Sequence, residues 1–173
     1  EKSEKQKMLA GELYTAADPE LVAERIEARR LMRLFNATRE DEPDRRTELL
    51  GQLFGQVGPT VEVEPPFYCD YGKYIFAGDR LYANYGCVIL DVNEVHIGAG
   101  AYLGPYVQIY AAHHPVDPAT RRSGVELATP VHIGENCWLG GGVIVCPGVT
   151  IGNNVTVGAG SVVTKEDRKS TRL

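Results

Sequence analysis

VHIGENCWLGGGVIVCPGVTIGNNVTVGAGSVVT, residues 131–164, returns to an aliphatic side chain at every sixth position. Ile133, Leu139, Val145, Ile151, Val157 and Val163 form one file, and Val131, Cys137, Val143, Val149 and Val155 form a second, two residues earlier. A period of six fits neither a helix nor a simple alternating strand. It does fit short strands separated by turns, each strand sending two side chains inward. Gly134, Gly140, Gly152 and Gly158 each follow a residue of the first file, where a tight corner favours a residue without Cβ. A chain that turns every six residues closes a three-sided coil after roughly 18 residues, which is the hexapeptide-repeat parallel β-helix.

Upstream, the six-step holds for Ile75/Ala77, Leu81/Ala83 and Cys87/Ile89, then slips by two residues near Asp91-Val92-Asn93. It resumes at Val95/Ile97, Ala101/Leu103 and Val107/Ile109. The extra residues predict a bulge on the outside of a corner, a place where solenoids tolerate additions and carry function. A longer interruption, YAAHHPVDPATRRSGVELATP at 110–130, precedes the return of the file in phase at Ile133. A loop of this length within a repeat array is the first place to look for chemistry.

Residues 1–58 read as helical. Asp18-Pro19-Glu20 is a helix start, with an N-cap followed by proline, and Leu21, Ile26, Leu31, Leu34 and Phe35 make an apolar stripe. A second start at Asp44 leads into Leu49, Leu50, Leu53 and Phe54 before Gly55 and Gly58. Helices this short need a surface to pack on, and a repeat stack must hide its open end, so they predict a cap. The chain therefore divides into a helical segment (1–58), a solenoid (59–165) with its excursion at 110–130, and a tail (166–173).

The 173 residues, 43% hydrophobic, support one core of ordinary size. A net charge of -5 excludes nucleic-acid or anionic-membrane partners held by bulk charge. No apolar run reaches membrane-spanning length, and EKSEKQKMLAGELY lacks a signal-peptide core, so the expected location is cytoplasmic. Cys69, Cys87, Cys137 and Cys146 are unevenly spaced and contain no CxxC pair, which argues against zinc or redox chemistry, and Cys87 and Cys137 fall on the inner file as small buried hydrophobes. His96 and His132 alternate with inward aliphatics and so point outward, whereas His114 is directed by Pro115.

Long ordered matches extend over roughly residues 5–165: KMLAGELY (7–14), EPPFYCDYGKYIF (64–76), LYANYGCVILDVNEVHIG (81–98), HPVDPATRRSGVELATPVHIGENCWLGGG (114–142), CPGVTIGNN (146–154) and GAGSVVTK (158–165). In these the chain resembles the maltose O-acetyltransferase type of sugar O-acetyltransferase. The resemblance implies a mainly β protein, a left-handed parallel β-helix with an N-terminal α-helical cap. It implies transfer of acetyl from acetyl-CoA to a hydroxyl of maltose, glucose or a related sugar, without metal, by a homotrimer with active sites between subunits.

The same resemblance makes His114 the general base, since a sugar hydroxyl attacking a thioester must lose a proton and imidazole titrates near neutrality. Asn84 would stabilise the tetrahedral intermediate and help hold the substrate. Glu126 is either the group that orients the imidazole or a solvated loop carboxylate. Asp70 and Asp91 correspond to acceptor-binding positions, Asp91 also being readable as a turn cap. Coenzyme binding maps to Trp138, Gly141, Ala159, Thr164 and Lys165.

Two departures stand out. Relatives place an acceptor-binding acid at the position of Ala16, and EDRKSTRL (166–173), with Arg168, Lys169 and Arg172, matches none of the family's closing segment. Galactoside, chitin-oligosaccharide or antibiotic acceptors are alternatives, as is a non-catalytic scaffold. A zinc hydratase on the same solenoid would need histidines five residues apart, and Ala119 occupies that place relative to His114.

Overall fold

Strands of two or three residues bury too little to stand alone, so the six-step pattern is stable only when coils stack and each strand finds partners on both sides. The computed structural model, which describes residues 1–165, shows that stack. Three parallel five-stranded sheets form the walls of a prism about five turns tall. Wall one contains Gln56–Val57, Ile75–Ala77, Val95–Ile97, Val131–Ile133 and Thr150–Ile151. Wall two contains Glu62–Val63, Tyr82–Ala83, Tyr102–Leu103, Trp138–Leu139 and Thr156–Val157. Wall three contains Tyr68–Cys69, Val88–Leu90, Gln108–Tyr110, Ile144–Val145 and Val162–Val163.

Both inner files are buried from end to end, including Cys87 and Cys137. Each enclosed aliphatic contributes roughly 1.5–3 kcal/mol, which is why corner geometry can be dictated by the core. His96 and His132 face outward as expected, and with Phe76 they form a ladder on wall one. Phe76 and His96 stack at 4.6 Å between ring centres, and His96 and His132 at 4.9 Å.

The register reveals one enlarged corner more than the sequence pattern does. In the first coils partners lie 20 apart (Gln56↔Phe76, Tyr68↔Val88, Phe76↔His96), and in the last coils 18 apart (His132↔Thr150, Trp138↔Thr156). Two stacked corners between walls three and one, at residues 70–74 and 91–94, both carry the surplus.

The helices are α1 (Glu4–Leu9), α2 (Pro19–Asn36), α3 (Pro43–Leu53) and α4 (Pro118–Arg122). Asp18 caps α2 through a 3.0 Å bond from the Glu20 N–H to its Oδ1. Ala28, Leu31, Met32 and Phe35 of α2 and Leu49, Leu50 and Leu53 of α3 join the solenoid core at its first coil. Asn36 completes the cover: its Nδ2 donates to the Phe67 carbonyl (3.0 Å) and its Oδ1 accepts from the Phe67 N–H (2.8 Å). A side-chain amide thus takes the place of a neighbouring strand.

Two expectations are corrected in this region. Ile26 is 59% exposed, because the buried stripe runs through Leu21, Ala28, Met32 and Phe35. The second helix start lies at Pro43 with Glu42 before it, and no side chain caps it.

The excursion is an arm with structure of its own. Ala112–His113 pairs antiparallel with Leu127–Ala128, and α4 sits at the tip, capped by Asp117 through a 2.7 Å bond from the Thr120 N–H. Among the described residues no helix is long and apolar enough to cross a membrane. The tail and its basic residues lie outside the described residues.

Candidate active site

Six-residue periodicity distributes the candidate residues over edges of the prism, and the structure sorts them onto two. The edge between walls two and three carries Asn84, Gly141 and Ala159, with Trp138 beside it on wall two. The edge between walls three and one carries Asp70, Asp91, the arm with His114 and Glu126, and Thr164 and Lys165. Wall three separates the two groups within one chain.

On the first edge the backbone corners are close-packed. A Cβ on Gly104 would lie 2.5 Å from the Gly141 nitrogen, and one on Gly140 would lie 2.6 Å from the Ala159 nitrogen. Successive corners are tied by the Gly160 N–H donating to the Gly141 carbonyl at 2.9 Å. Beside them Tyr82, Asn84, Tyr102, Leu103, Gly104 and Trp138 line an open cavity of about 390 Å³. Trp138 is 57% exposed and Tyr102 58%, in register on adjacent strands. The Asn84 side-chain oxygen accepts from the Tyr85 N–H (2.8 Å). Its amide nitrogen has no protein partner among the described residues, and Asn84 lines this cavity.

On the second edge a cavity of about 300 Å³ is lined by His114, Glu126, Asp70, Tyr71, Arg25 and Arg29, together with Tyr14, Ala16, Val92 and Ala112. His114 is exposed, and buried Pro115 follows it. Its neighbour His113 is tied to the Thr129 hydroxyl at 2.9 Å and is held below the usual imidazole range, first by burial and then by His114. Burial raises Asp70, with Arg25 opposing. Arg25 donates to the Tyr71 hydroxyl and to the Ala16 carbonyl, both at 2.7 Å.

Glu126 lines this cavity with His114, and its Oε2 accepts from the Tyr14 hydroxyl (2.8 Å), the two residues forming an antiparallel bridge. Asp91 does not meet the cavity, and its bulge is not external. Asp91 is 0% exposed and Asn93 3%, because α1 and the start of the arm close over the corner. Asp91 accepts backbone bonds from Asp70, Tyr71 and Tyr74, which is the turn-capping alternative.

Arg25, Arg29, Tyr14 and Tyr71 line the cavity but did not stand out in the sequence. Arg25 and Arg29 are spaced i, i+4 on α2, and Arg25 interrupts the apolar series Leu21, Ala28, Met32 and Phe35 on the same face, which is the available signal. Tyr14 offered none.

A three-sided solenoid with glycine-lined corners on one edge and an imidazole-bearing arm on another defines the class of hexapeptide-repeat transferases. Residues 7–58 match the maltose acetyltransferase hexapeptide capping motif, and residues 130–165 match the bacterial transferase hexapeptide of six repeats. A maltose O-acetyltransferase from Clostridium difficile 630 superposes with a TM-score of 0.98 at 51% identity, covering 99% of this chain and 91% of that one. A hexapeptide-repeat acetyltransferase from Vibrio cholerae O1 biovar eltor, complexed with acetyl coenzyme A, has a TM-score of 0.91 at 37% identity, covering 99% and 92%. Nodulation protein L of Rhizobium meliloti is 49% identical over 86% of this chain and 81% of its own length.

The chain belongs to the sugar O-acetyltransferase family of the maltose O-acetyltransferase type, and it is an acetyltransferase. The parallel solenoid is that family's left-handed β-helix architecture.

Proposed function

We propose that this chain transfers acetyl from acetyl-CoA to a hydroxyl of maltose, glucose or a related sugar, with His114 as general base. The observation that carries the reading is His114 exposed in the same cavity as Asp70, Arg25 and Glu126, a group of polar side chains suited to the hydroxyls of a sugar. The imidazole takes the hydroxyl proton as the sugar oxygen attacks the thioester carbonyl. A tetrahedral intermediate forms, its oxygen facing the Asn84 amide. It collapses with cleavage of the C–S bond, and the imidazolium returns the proton to the departing thiolate. No acyl-enzyme is needed.

Acetyl-CoA would run along the edge that bears Gly141 and Ala159, with Trp138 against the pantetheine arm. Thr164 and Lys165, which sit on the other edge, would reach the coenzyme only at the far end of the stack. Because wall three separates Asn84 from His114, we place the reaction between neighbouring copies in a homotrimer, His114 of one copy facing Asn84 of the next.

Turnover of a panel of glucose, maltose, galactosides and chitin oligosaccharides with acetyl-CoA tests the reading. Glucose and maltose are expected to lead, and no turnover with any sugar overturns it. His114→Ala should lower kcat by a factor on the order of 100–10,000 with folding intact. A scaffold would be indifferent to that change.

A further inference from the structure

The corner at 91–94 connects two sides of the second cavity, and it does so through Asp91 and Asn93, polar side chains with almost no solvent contact. Oδ1 of Asp91 accepts from the backbone N–H groups of Asp70 (3.1 Å) and Tyr71 (2.9 Å), and Oδ2 accepts from that of Tyr74 (3.2 Å). These are the residues of the other enlarged corner, and Asp70 and Tyr71 line the cavity. Tyr71 in turn receives Arg25 from α2.

Two residues on, Nδ2 of Asn93 donates to three carbonyls: Met8 (3.2 Å) and Leu9 (3.3 Å) at the end of α1, and Ala128 (3.3 Å) in the returning strand of the arm. Ala128 pairs with Ala112, two residues before His114, and stands two residues after Glu126. One corner therefore holds the Asp70 side of the cavity with a carboxylate and the His114 side with an amide.

Burying a carboxylate and an amide costs several kcal/mol unless every bond is made, and a shorter turn such as Cys146-Pro147-Gly148-Val149, at the same corner of a later coil, closes the prism with no such pair. What the polar pair adds is the relative position of the two cavity walls. We propose that Asp91 and Asn93 are positioning residues of the acceptor site, fixing Asp70 and Tyr71 against the arm that carries His114. The inference rests on the reading of this cavity as the sugar site. It assigns no direct contact between either residue and substrate.

The test uses the full chain with Asp91→Asn and Asn93→Ala. Asparagine keeps an acceptor for Asp70 and Tyr71 but turns a donor towards Tyr74; alanine removes the three-carbonyl tie. Either change should raise the KM for maltose about tenfold or more, while the KM for acetyl-CoA stays within about twofold. Maltose binding to the protein saturated with coenzyme A, measured by calorimetry, should weaken by the same factor, giving a readout that does not depend on turnover. Unchanged maltose KM and affinity in a folded variant overturn the proposal, as does a parallel loss for maltose and acetyl-CoA. Asn93→Ala keeps the test decisive where Asp91→Asn does not fold. His114→Ala provides the separation from the catalytic reading: it should lower kcat and leave maltose affinity intact, and failure of that result alone would count against the base and not against the positioning pair.

Discussion

Burial pushes the Asp91 carboxyl up to about 7, against backbone donors that pull it down, and nearby Asp70 adds to the rise. Burial first, and then Asp91, holds the Cys69 thiol up. A carboxyl raised in the folded chain binds its proton more readily there than in the unfolded chain, whose ordinary value is 3.8. Between about pH 4 and pH 7 the folded state thus carries more protons, and stability falls as pH rises through that window. Asp91→Asn cannot titrate. Unfolding free energies from urea titrations should decline from pH 4.5 to 8 more steeply in the wild type than in this variant, by on the order of 2 kcal/mol. Equal slopes would mean that Asp91 stays ionised throughout. The left-handed corner at Gly72 (φ +72) makes a second residue-scale case: a Cβ there would collide with the side chain and carbonyl of Leu53 in α3. Gly72→Ala should therefore lower stability by about 1–3 kcal/mol, read in the same titrations.

At the scale of elements, the cap on the first coil depends on how its exposed strand edge is satisfied. Asn36 closes two backbone groups of Phe67 at once, and the Met32 sulfur lies 3.0 Å from the Cys69 nitrogen. Asn36→Ala leaves Phe67 unpaired beneath the helices and should destabilise the chain by about 1–3 kcal/mol in urea, with kcat little changed. None of this was legible beforehand, because residue 36 and residue 67 meet only after α2 has been laid across the coil. The walls themselves were legible. The six-step from Val131 to Val163 names their inward residues, and the break after Ile109 marks the arm bearing His114. Where periodicity lapses, so does the inference. Outside a strand the rule that alternate residues face alternate ways no longer applies, and Asp91 and Asn93 turn inward at a corner where exposure was expected. On α2, Ile26 belongs to the apolar pattern of the sequence, yet Ala28 and Met32 face the core in its place. Alanine carries too little hydrophobic signal to correct such a stripe.

For the whole molecule, the division of the candidate residues between two edges makes a sharp prediction about assembly. One chain cannot bring its Asn84 and His114 to the same thioester across wall three, so each active site should draw one residue from each of two chains. His114→Ala and Asn84→Ala should each be nearly inactive alone. Unfolding the two variants together and refolding them as a mixture produces assemblies in which some sites take His114 from the Asn84→Ala chain and Asn84 from the His114→Ala chain. With random mixing, about one site in four is then fully wild type, and activity should return to about a quarter of the wild-type value. Sites built within single chains would give no recovery at any mixing ratio. The exposed Tyr102 and Trp138 beside Asn84 agree with a neighbour on that side, since a stripe of large aromatic side chains open to water is commonly covered by a partner. Sedimentation of the refolded mixture should give the mass of three chains, and recovery of activity at the mass of one chain would refute the shared site.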